Sequence, residues 1–263
     1  MILSEINIYP IKSTKGISLQ SAHVERRGIQ FDRRWMVVDE TGMFMSQRDF
    51  PRLALVSTRI DGEVLHVTAA GMPALTLSIK PRLGDTVRVQ VHDDVTKGVF
   101  AGEEAKNWFS DFLRVACRVM FMPDEILRPV NPKYARGGDI VSFADAYPLL
   151  LISQSSLDDL NKRLTVPVPM NRFRPNIVIR GCGAYDEDQW KKIRIGKMVF
   201  HVVKPCSRCV TTTVDQATGI QGIEPLATLS KYRNVNGKVL FGQNVIPEEN
   251  GALHIGDAVQ VLT

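Results

Sequence analysis

The sequence predicts a mostly β protein of the α+β class, in which a β-barrel or sandwich carries a few peripheral helices. Many short apolar and β-branched runs are separated by turn residues, few segments have helical periodicity, and βαβ alternation is missing. A length of 263 residues suits one large or two medium domains. The segment 123–139, rich in proline, glycine and charge, predicts a boundary between domains 1–122 and 123–263.

The predicted strands are short and lie in both halves of the chain. In the first half, strands are predicted at 2–9, 35–39, 53–60, 64–69 and 75–79, followed by the alternating residues Val87, Val89 and Val91. Asp61-Gly62 lies between two of these runs and is typical of a hairpin turn. In the second half, strands are predicted at 176–179, 198–203, 239–241 and 258–262.

Three segments are predicted to be helical. Apolar residues recur every three to four positions along 105–113, which gives one apolar face. Leucines share a face over 155–164, and either Ser153 or Ser155 is a suitable N-cap for this helix. A third, short helix is predicted to begin near Pro225, because proline favours the first helical turn.

Composition narrows the function classes. The net charge is +5, which suits either a solvated basic surface or an anionic ligand or acidic partner. The sequence has no patch of clustered lysines and arginines with interleaved aromatic residues, so we do not expect nucleic-acid binding. No apolar run is long enough to span a bilayer, and the N-terminus does not resemble a secretion signal. We therefore expect a cytoplasmic protein without a membrane anchor. Four cysteines do not make a disulfide framework.

The motif Cys206-Ser207-Arg208-Cys209 contains two of the four cysteines. A zinc site would need more ligands at suitable spacing, and a thioredoxin-like pair would need a helix after the motif. The β-branched run 210–214 instead predicts a strand or extended loop. The residues alone leave two alternatives open, a packed pair of thiols and a thiolate that is reactive or binds a soft metal.

Three other loops combine cations with polar side chains. They are 9–16 with two lysines, 31–36 with two arginines beside a tryptophan, and 171–179 with two arginines and two asparagines. Each has a local alternative, either a surface turn or the tying of a strand end. Together they indicate one extended anionic ligand, because ammonium, guanidinium and hydroxyl groups all bind phosphate oxygens.

Six segments carry a resemblance to a known family. They are YPIKSTKG, FDRRWMVV, FADAYPLLLIS, NRFRPNIVI, KPCSRCVTTTVD and FGQNV. With them, almost the whole chain resembles a MOSC-domain (molybdenum cofactor sulfurase C-terminal) protein preceded by a β-rich MOSC N-terminal domain. The chain is similar to the mitochondrial amidoxime-reducing components and to the bacterial YcbX-type proteins of this family.

The resemblance implies a molybdenum pyranopterin cofactor. Cys209 would be the molybdenum ligand and the catalytic residue, and Cys206 its non-ligating neighbour. A thiolate beside a dithiolene suits a soft, redox-active metal. The other residues that the resemblance implies as cofactor contacts are Lys12, Ser13, Arg33, Asp145, Ala146, Tyr147, Arg174, Asn176, Ser207, Arg208 and Asn244.

The implied activity is reduction of N-hydroxylated compounds, such as hydroxylamines, amidoximes and N-hydroxy base analogues, to the N–H form. Ferredoxin-type cysteine spacing is missing, so the electrons are expected from a separate flavodoxin-, ferredoxin- or flavin-reductase-type protein. Asp215 is a candidate proton donor or, alternatively, an Asx-turn residue. Two other functions stay open: a sulfur carrier with a cysteine persulfide, and a cofactor-binding protein without catalysis.

Overall fold

The computed structural model of the protein describes residues 1–81 and 84–262. Thr263, the last residue of the predicted second domain, lies outside the described residues. The fold is mostly β with three α-helices in the described part of the chain, which confirms the predicted fold class. None of the described helices combines the length and apolar character needed to cross a membrane.

The regular elements are short, apart from two long strands near the C-terminus. The helices are α1 (Glu103–Leu113), α2 (Gln154–Arg163) and α3 (Leu226–Tyr232). The strands are β1 (Ile2–Ile8), β2 (Ile17–Leu19), β3 (Ser21–Glu25), β4 (Gly28–Ile29), β5 (Trp35–Val38), β6 (Ser57–Asp61), β7 (Val64–Thr68), β8 (Leu75–Ser78), β9 (Thr86–Val91), β10 (Asp94–Phe100), β11 (Arg118–Phe121), β12 (Arg128–Pro129), β13 (Ile140–Val141), β14 (Leu149–Ser153), β15 (Ile177–Arg180), β16 (Lys192–Ile195), β17 (Met198–Arg208), β18 (Asn234–Val235), β19 (Lys238–Pro247), β20 (Gly251–His254) and β21 (Val259–Val261).

The main sheet is nine-stranded and joins both ends of the chain. Its order is β2-β1-β15-β14-β19-β17-β16-β21, with β18 pairing with β19. Strands β14 and β15 are parallel, whereas β1 runs antiparallel to β15. The first strand therefore lies in a sheet built mostly by the second half of the chain. Gly242 permits close pairing of β19 with β14, because a Cβ there would lie 2.8 Å from the carbonyl oxygen of Leu151.

The N-terminal half builds smaller sheets around a separate core. One sheet has the order β5-β11-β10-β9, and a meander has the order β6-β7-β8. Trp108, Phe109 and Phe112 of α1 pack into the core that these strands enclose. The interior of the nine-stranded sheet is a different cluster, centred on residues such as Ile6, Ile177 and Phe200. The boundary at residue 123 stays a prediction.

The predicted elements are mostly confirmed. The hairpin at Asp61-Gly62 joins β6 to β7, and the three predicted helices correspond to α1, α2 and α3. Two predictions were wrong in part. The first residues of the predicted strand 53–60 belong instead to a 3₁₀ helix, Pro51–Leu55. Proline begins this helix, and Leu53 and Ala54 are buried in it. The run predicted to be extended after Cys209 is also a 3₁₀ helix, Val210–Thr213.

Ser153 is the N-cap of α2, which settles the alternative between Ser153 and Ser155. Its Oγ accepts a hydrogen bond from the backbone N–H of Ser156 at 3.1 Å. Ser153 also donates to the buried carboxylate of Glu187, from Oγ at 2.9 Å and from its backbone N–H at 3.0 Å. The start of α2 is thus tied to a buried acid that Ser156 also contacts.

Replacing Ser153 with alanine should therefore lower the free energy of unfolding by about 1–2 kcal/mol, because the cap and one hydrogen bond to a buried carboxylate are lost. Chemical denaturation monitored by circular dichroism measures the change. Ser230→Ala is the matched control: its exposed hydroxyl bonds only within α3, to the carbonyl of Ala227, and a change within about 0.5 kcal/mol is expected. Equal stability of the two variants would contradict this role for Ser153.

Candidate functional site

An open cavity lies where the loops of the N-terminal half meet the ends of β14, β17 and β19. Every residue that the resemblance implies as a cofactor contact lines it, although these residues are scattered along the sequence. The lining residues are Lys12, Ser13, Arg33, Phe44, Ser46, Arg48, Ala144, Asp145, Ala146, Tyr147, Leu149, Leu150, Arg172, Phe173, Arg174, Asn176, Cys206, Ser207, Arg208, Cys209, Thr211, Thr212 and Asn244.

Asp32 positions the first two cationic loops. Its Oδ1 accepts the backbone N–H of Tyr9 at 2.8 Å, and its Oδ2 accepts a hydrogen bond from Nη1 of Arg33. The backbone N–H of Lys12 donates to the carbonyl of Trp35 at 2.7 Å, which holds the two loops side by side. The expected Asp–Arg pair at the strand end is therefore present, and it also brings Arg33 to the cavity beside Lys12.

Asn176 connects this pair to the nine-stranded sheet. Its Oδ1 accepts from Nη1 of Arg33 at 2.9 Å and from the backbone N–H of Leu150 at 3.2 Å. Its Nδ2 donates to the carbonyl of Asn7 at 3.0 Å. The side chain thus joins β1, β14 and Arg33, a positioning role that its sequence context did not indicate. Its direct contact with a cofactor stays a prediction.

The ring of Tyr9 makes cation–π contacts with two guanidinium groups. The guanidinium of Arg174 lies 4.2 Å from the centre of the Tyr9 ring, and that of Arg33 lies 4.5 Å from it. Gly16 makes room for the ring, because a Cβ there would lie 2.6 Å from it. Burial raises the pKa of Tyr9 to about 12 against the opposing effect of the two arginines, so the ring stays neutral. Sequence reasoning did not assign this residue.

Arg174 is charged but incompletely bonded. Its Nη1 donates to the carbonyl of Thr14 at 2.7 Å. Burial, with a smaller contribution from Arg33, lowers its pKa to about 10, which leaves it protonated at neutral pH. For Arg33, burial acts to lower the pKa, but Asp32 and Tyr9 outweigh it and the pKa is raised.

Lys12 and Asp145 form an ion pair across the cavity wall. Lys12 is buried and its pKa is lowered, mainly by burial, whereas Asp145 acts to raise it. The Asp145 side chain lines the open cavity and is 73% exposed. Loss of hydration acts to raise the pKa of Asp145, but Lys12 and His92 outweigh this effect and hold the pKa well below its ordinary value. His92 Nε2 lies 3.4 Å from Asp145 Oδ1.

Arg128 holds the loop that carries Asp145. Its Nη1 donates to the carbonyls of Ser142 and Ala144, at 3.0 and 2.6 Å, and its Nη2 donates to the carbonyl of Asp145 at 3.0 Å. Its Nη2 also forms a salt bridge with Asp94. Sequence reasoning missed Arg128, because a lone arginine in an irregular segment gives no signal of the three carbonyls it satisfies.

The two thiols of the cysteine motif differ in their surroundings. Nη1 of Arg208 donates to Sγ of Cys206 at 2.9 Å, and Nη2 of the same residue donates to the carbonyl of Phe173 at 2.6 Å. Sγ of Cys209 lies 3.4 Å from Oγ1 of Thr211, and the residue is exposed at the cavity. One sulfur is thus held by a guanidinium, and the other is accessible.

Asp215 stands beside the cavity wall in an Asx-type turn. Its Oδ1 accepts the backbone N–H groups of Ala217 and Thr218, at 3.0 and 2.9 Å, and its Oδ2 pairs with Arg172 at 3.1 Å. Burial acts to raise its pKa, but these hydrogen bonds lower it. A carboxyl group of this kind stays ionised at neutral pH, which makes it a poor proton donor.

The remaining predicted residues complete the rim. Tyr147 is buried, with its ring centre 6.3 Å from that of Tyr134. Ala146 and Ser207 are exposed at the cavity. Asn244 is half-buried and donates from Nδ2 to the carbonyl of Lys204 at 3.1 Å.

Three residues that line the cavity and are not glycine have left-handed backbone conformations. The φ angles are 71° at Ser13, 50° at Arg33 and 57° at Arg174. Such angles are uncommon for residues with a Cβ and tend to occur where surrounding structure enforces them, often at binding sites. Each of the three predicted cationic loops therefore places one strained residue on the cavity wall.

The donor set fits an anionic cofactor that carries its own metal ligands. Within the described residues, Nε of Arg172 and Arg208 and Nη2 of Arg174 are buried without a hydrogen-bond partner, so donors remain for an added group. Six cationic side chains line the cavity against one carboxylate. No described group of three or more His, Cys, Asp or Glu residues is arranged to hold a metal ion, so a metal at Cys209 needs ligands from the cofactor.

Comparisons with known proteins identify the family of the chain. The MOSC N-terminal beta barrel domain family matches residues 1–116, and the MOSC domain family matches residues 138–260. Mitochondrial amidoxime-reducing component 1 of Mus musculus is 38% identical over 279 residues, which cover 99% of this chain and 82% of that protein. The Homo sapiens protein of the same name is 36% identical over 278 residues, with the same coverage. The chain therefore contains both MOSC domains and belongs to the family of the mitochondrial amidoxime-reducing components.

Proposed function

We propose that the protein is a molybdenum-cofactor-dependent reductase that converts N-hydroxylated compounds to their N–H forms. The observation that carries the proposal is the meeting of one accessible thiol, Cys209, with a cationic cavity that has unsatisfied donors. The relatives named amidoxime-reducing components support the same reaction class. Hydroxylamines, amidoximes and N-hydroxy base analogues are the substrates we propose.

The residues divide into two groups by the chemistry they offer. Lys12, Arg33 and Arg174 would hold the phosphate and the pterin edge through ammonium and guanidinium donors. Cys209 would supply a thiolate to the metal. When bound, the cofactor would supply two-electron redox chemistry at a metal centre. Ser13, Ser207 and Asn244 would add hydroxyl and amide contacts around it.

Electrons would come from a separate carrier protein. The basic net charge of +5 suits an acidic flavodoxin-, ferredoxin- or flavin-reductase-type partner. The proposed location is the cytoplasm. A nucleic-acid polymer is not among the proposed partners.

The sulfur-carrier alternative has one supporting contact, the guanidinium of Arg208 on the sulfur of Cys206. A nearby cation favours a thiolate and hence nucleophilic sulfur chemistry. It leaves the clustered charges of Lys12, Arg33 and Arg174 without a ligand. The same is true of a packed thiol pair, so the reductase explains more of the cavity. A protein that only stores the cofactor would have the same donors and differs only in activity.

Replacing Cys209 with alanine should remove bound molybdenum and turnover, whereas Cys206→Ala should keep most of both, because Cys209 is exposed at the cavity while the half-buried Cys206 thiol is bonded to Arg208. The measurement is molybdenum content by mass spectrometry, on protein produced with cofactor supply, together with benzamidoxime reduction by chemically reduced methyl viologen. Equal loss in both variants would contradict the assignment. Sulfane sulfur without molybdenum in the wild type would favour the carrier, and molybdenum without turnover would favour storage.

Lys12→Ala should release the cofactor from a protein that remains folded, because the buried ammonium group is a principal cation near the proposed phosphate. We expect about 1.5–3 kcal/mol of binding free energy to be lost with this charge-assisted contact, which is a loss of roughly ten- to a hundredfold in affinity. Pterin fluorescence and molybdenum after gel filtration measure retention. The neighbouring, exposed Lys15 is the matched control, and Lys15→Ala should retain the wild-type amount. Full retention in Lys12→Ala would place the phosphate elsewhere.

A further inference from the structure

The most exposed large apolar side chains in the described part of the chain lie together. Ile223, Val166 and Ile220 are 75%, 73% and 69% exposed. They come from two distant segments, yet all three line one groove with Arg163, Arg172 and Lys231, which we call the outer groove. Scattered exposed apolar residues are normal on a protein surface, whereas a contiguous apolar patch usually marks an interaction site.

The outer groove adjoins the cofactor cavity. Arg172 lines both, and the 3₁₀ helix Val210–Thr213 separates them, with Thr212 on the cavity side and Thr213 on the groove side. This helix begins directly after Cys209. A group bound in the outer groove is therefore one short helix away from the residue proposed to hold the metal.

The charges around the outer groove favour an acidic occupant. The carboxylates at the groove already have partners: Asp215 pairs with Arg172, and Glu224 accepts from the backbone N–H and hydroxyl of Thr228. Of the three basic residues at the groove, Arg163 pairs with Asp159 at 2.9 Å, whereas Lys231, in the last turn of α3, is exposed. An apolar centre with a basic rim matches a protein surface with an apolar centre and an acidic rim.

The shape of the outer groove favours a protein over a small molecule. Pockets for small ligands enclose most of the ligand between walls that are themselves buried. Here the apolar side chains project, with about three quarters of their surface accessible at Val166 and Ile223. Such side chains contribute most when a partner surface covers them and excludes water.

We propose that the outer groove is the docking surface for an acidic electron-carrier protein, an inference that rests on the proposed reductase function. Each turnover cleaves one N–O bond, adds two electrons and two protons, and yields the N–H product and water. The docked carrier, with a flavin or iron–sulfur centre, gives up those two electrons in total and is thereby oxidised. Docking beside Val210–Thr213 places that centre near Cys209.

The test uses Ile223→Asp and Val166→Asp, singly and combined, in the full cofactor-loaded protein. Benzamidoxime reduction is measured with two kinds of donor: reduced methyl viologen, and enzymatically reduced flavodoxin or [2Fe–2S] ferredoxin. We expect the protein-driven rate to fall about tenfold in the combined variant, with the viologen-driven rate unchanged. The protein-driven rate should also fall with ionic strength and in Lys231→Glu, because rim charges steer association.

Val115→Asp is the matched control. Val115 is 40% exposed and follows α1 in the N-terminal half, away from the outer groove. Its two rates should match the wild type. The docking proposal is overturned if the combined variant accepts electrons from the carriers at the wild-type rate, or if neither carrier drives the wild type while viologen does. A higher KM for benzamidoxime in the combined variant than in the wild type, with viologen as donor, would indicate that the groove binds substrate instead. A wild type inactive with viologen overturns the reductase function.

Discussion

The structure depends on gathering positive charge in one partly enclosed place. Lys12, Arg33 and Arg174 line the same cavity, where repulsion between them and loss of hydration both disfavour the charged forms. The lowered pKa values of Lys12 and Arg174 express that cost. Asp32 and Asp145 offset part of it through ion pairs. The remaining excess of donors makes the cavity suited to an anionic ligand.

Strand pairing makes that gathering possible. Strand β1 lies beside β15, so the loop after β1 and the segment before β15 meet at one end of the sheet. Lys12 and Arg174 therefore become neighbours although most of the chain separates them. Tyr9 sits between the two segments, donates its hydroxyl to the carbonyl of Pro175 at 3.1 Å and carries both guanidinium groups on its ring. Both guanidinium groups can therefore lie at the same cavity, because each has a favourable cation–π contact with the ring.

The sequence was informative for most of the regular elements, apart from the two short 3₁₀ helices. The strands, the helical faces and the loops that line the cavity follow from apolar period and turn residues. It was uninformative wherever a side chain serves a distant segment. Arg128 and Asn176 satisfy backbone groups far along the chain, and His92 meets Asp145 only through the tertiary fold. No local pattern records such partners, because each appears in the sequence as a single polar residue.

The different surroundings of the two motif cysteines follow from the 3₁₀ helix after Cys209, where an extended run was predicted. An extended run would continue the alternation of β17 and return Cys209 to the sheet ladder. Instead, the hydroxyls of Thr212 and Thr213 donate to the carbonyls of Cys209 and Val210, at 3.0 and 2.8 Å, which closes a tight turn. Arg208 stays on the strand, two residues from Cys206, and its guanidinium donates to that thiol. The turn thus leaves Cys209 exposed at the cavity while its neighbour is held by a cation.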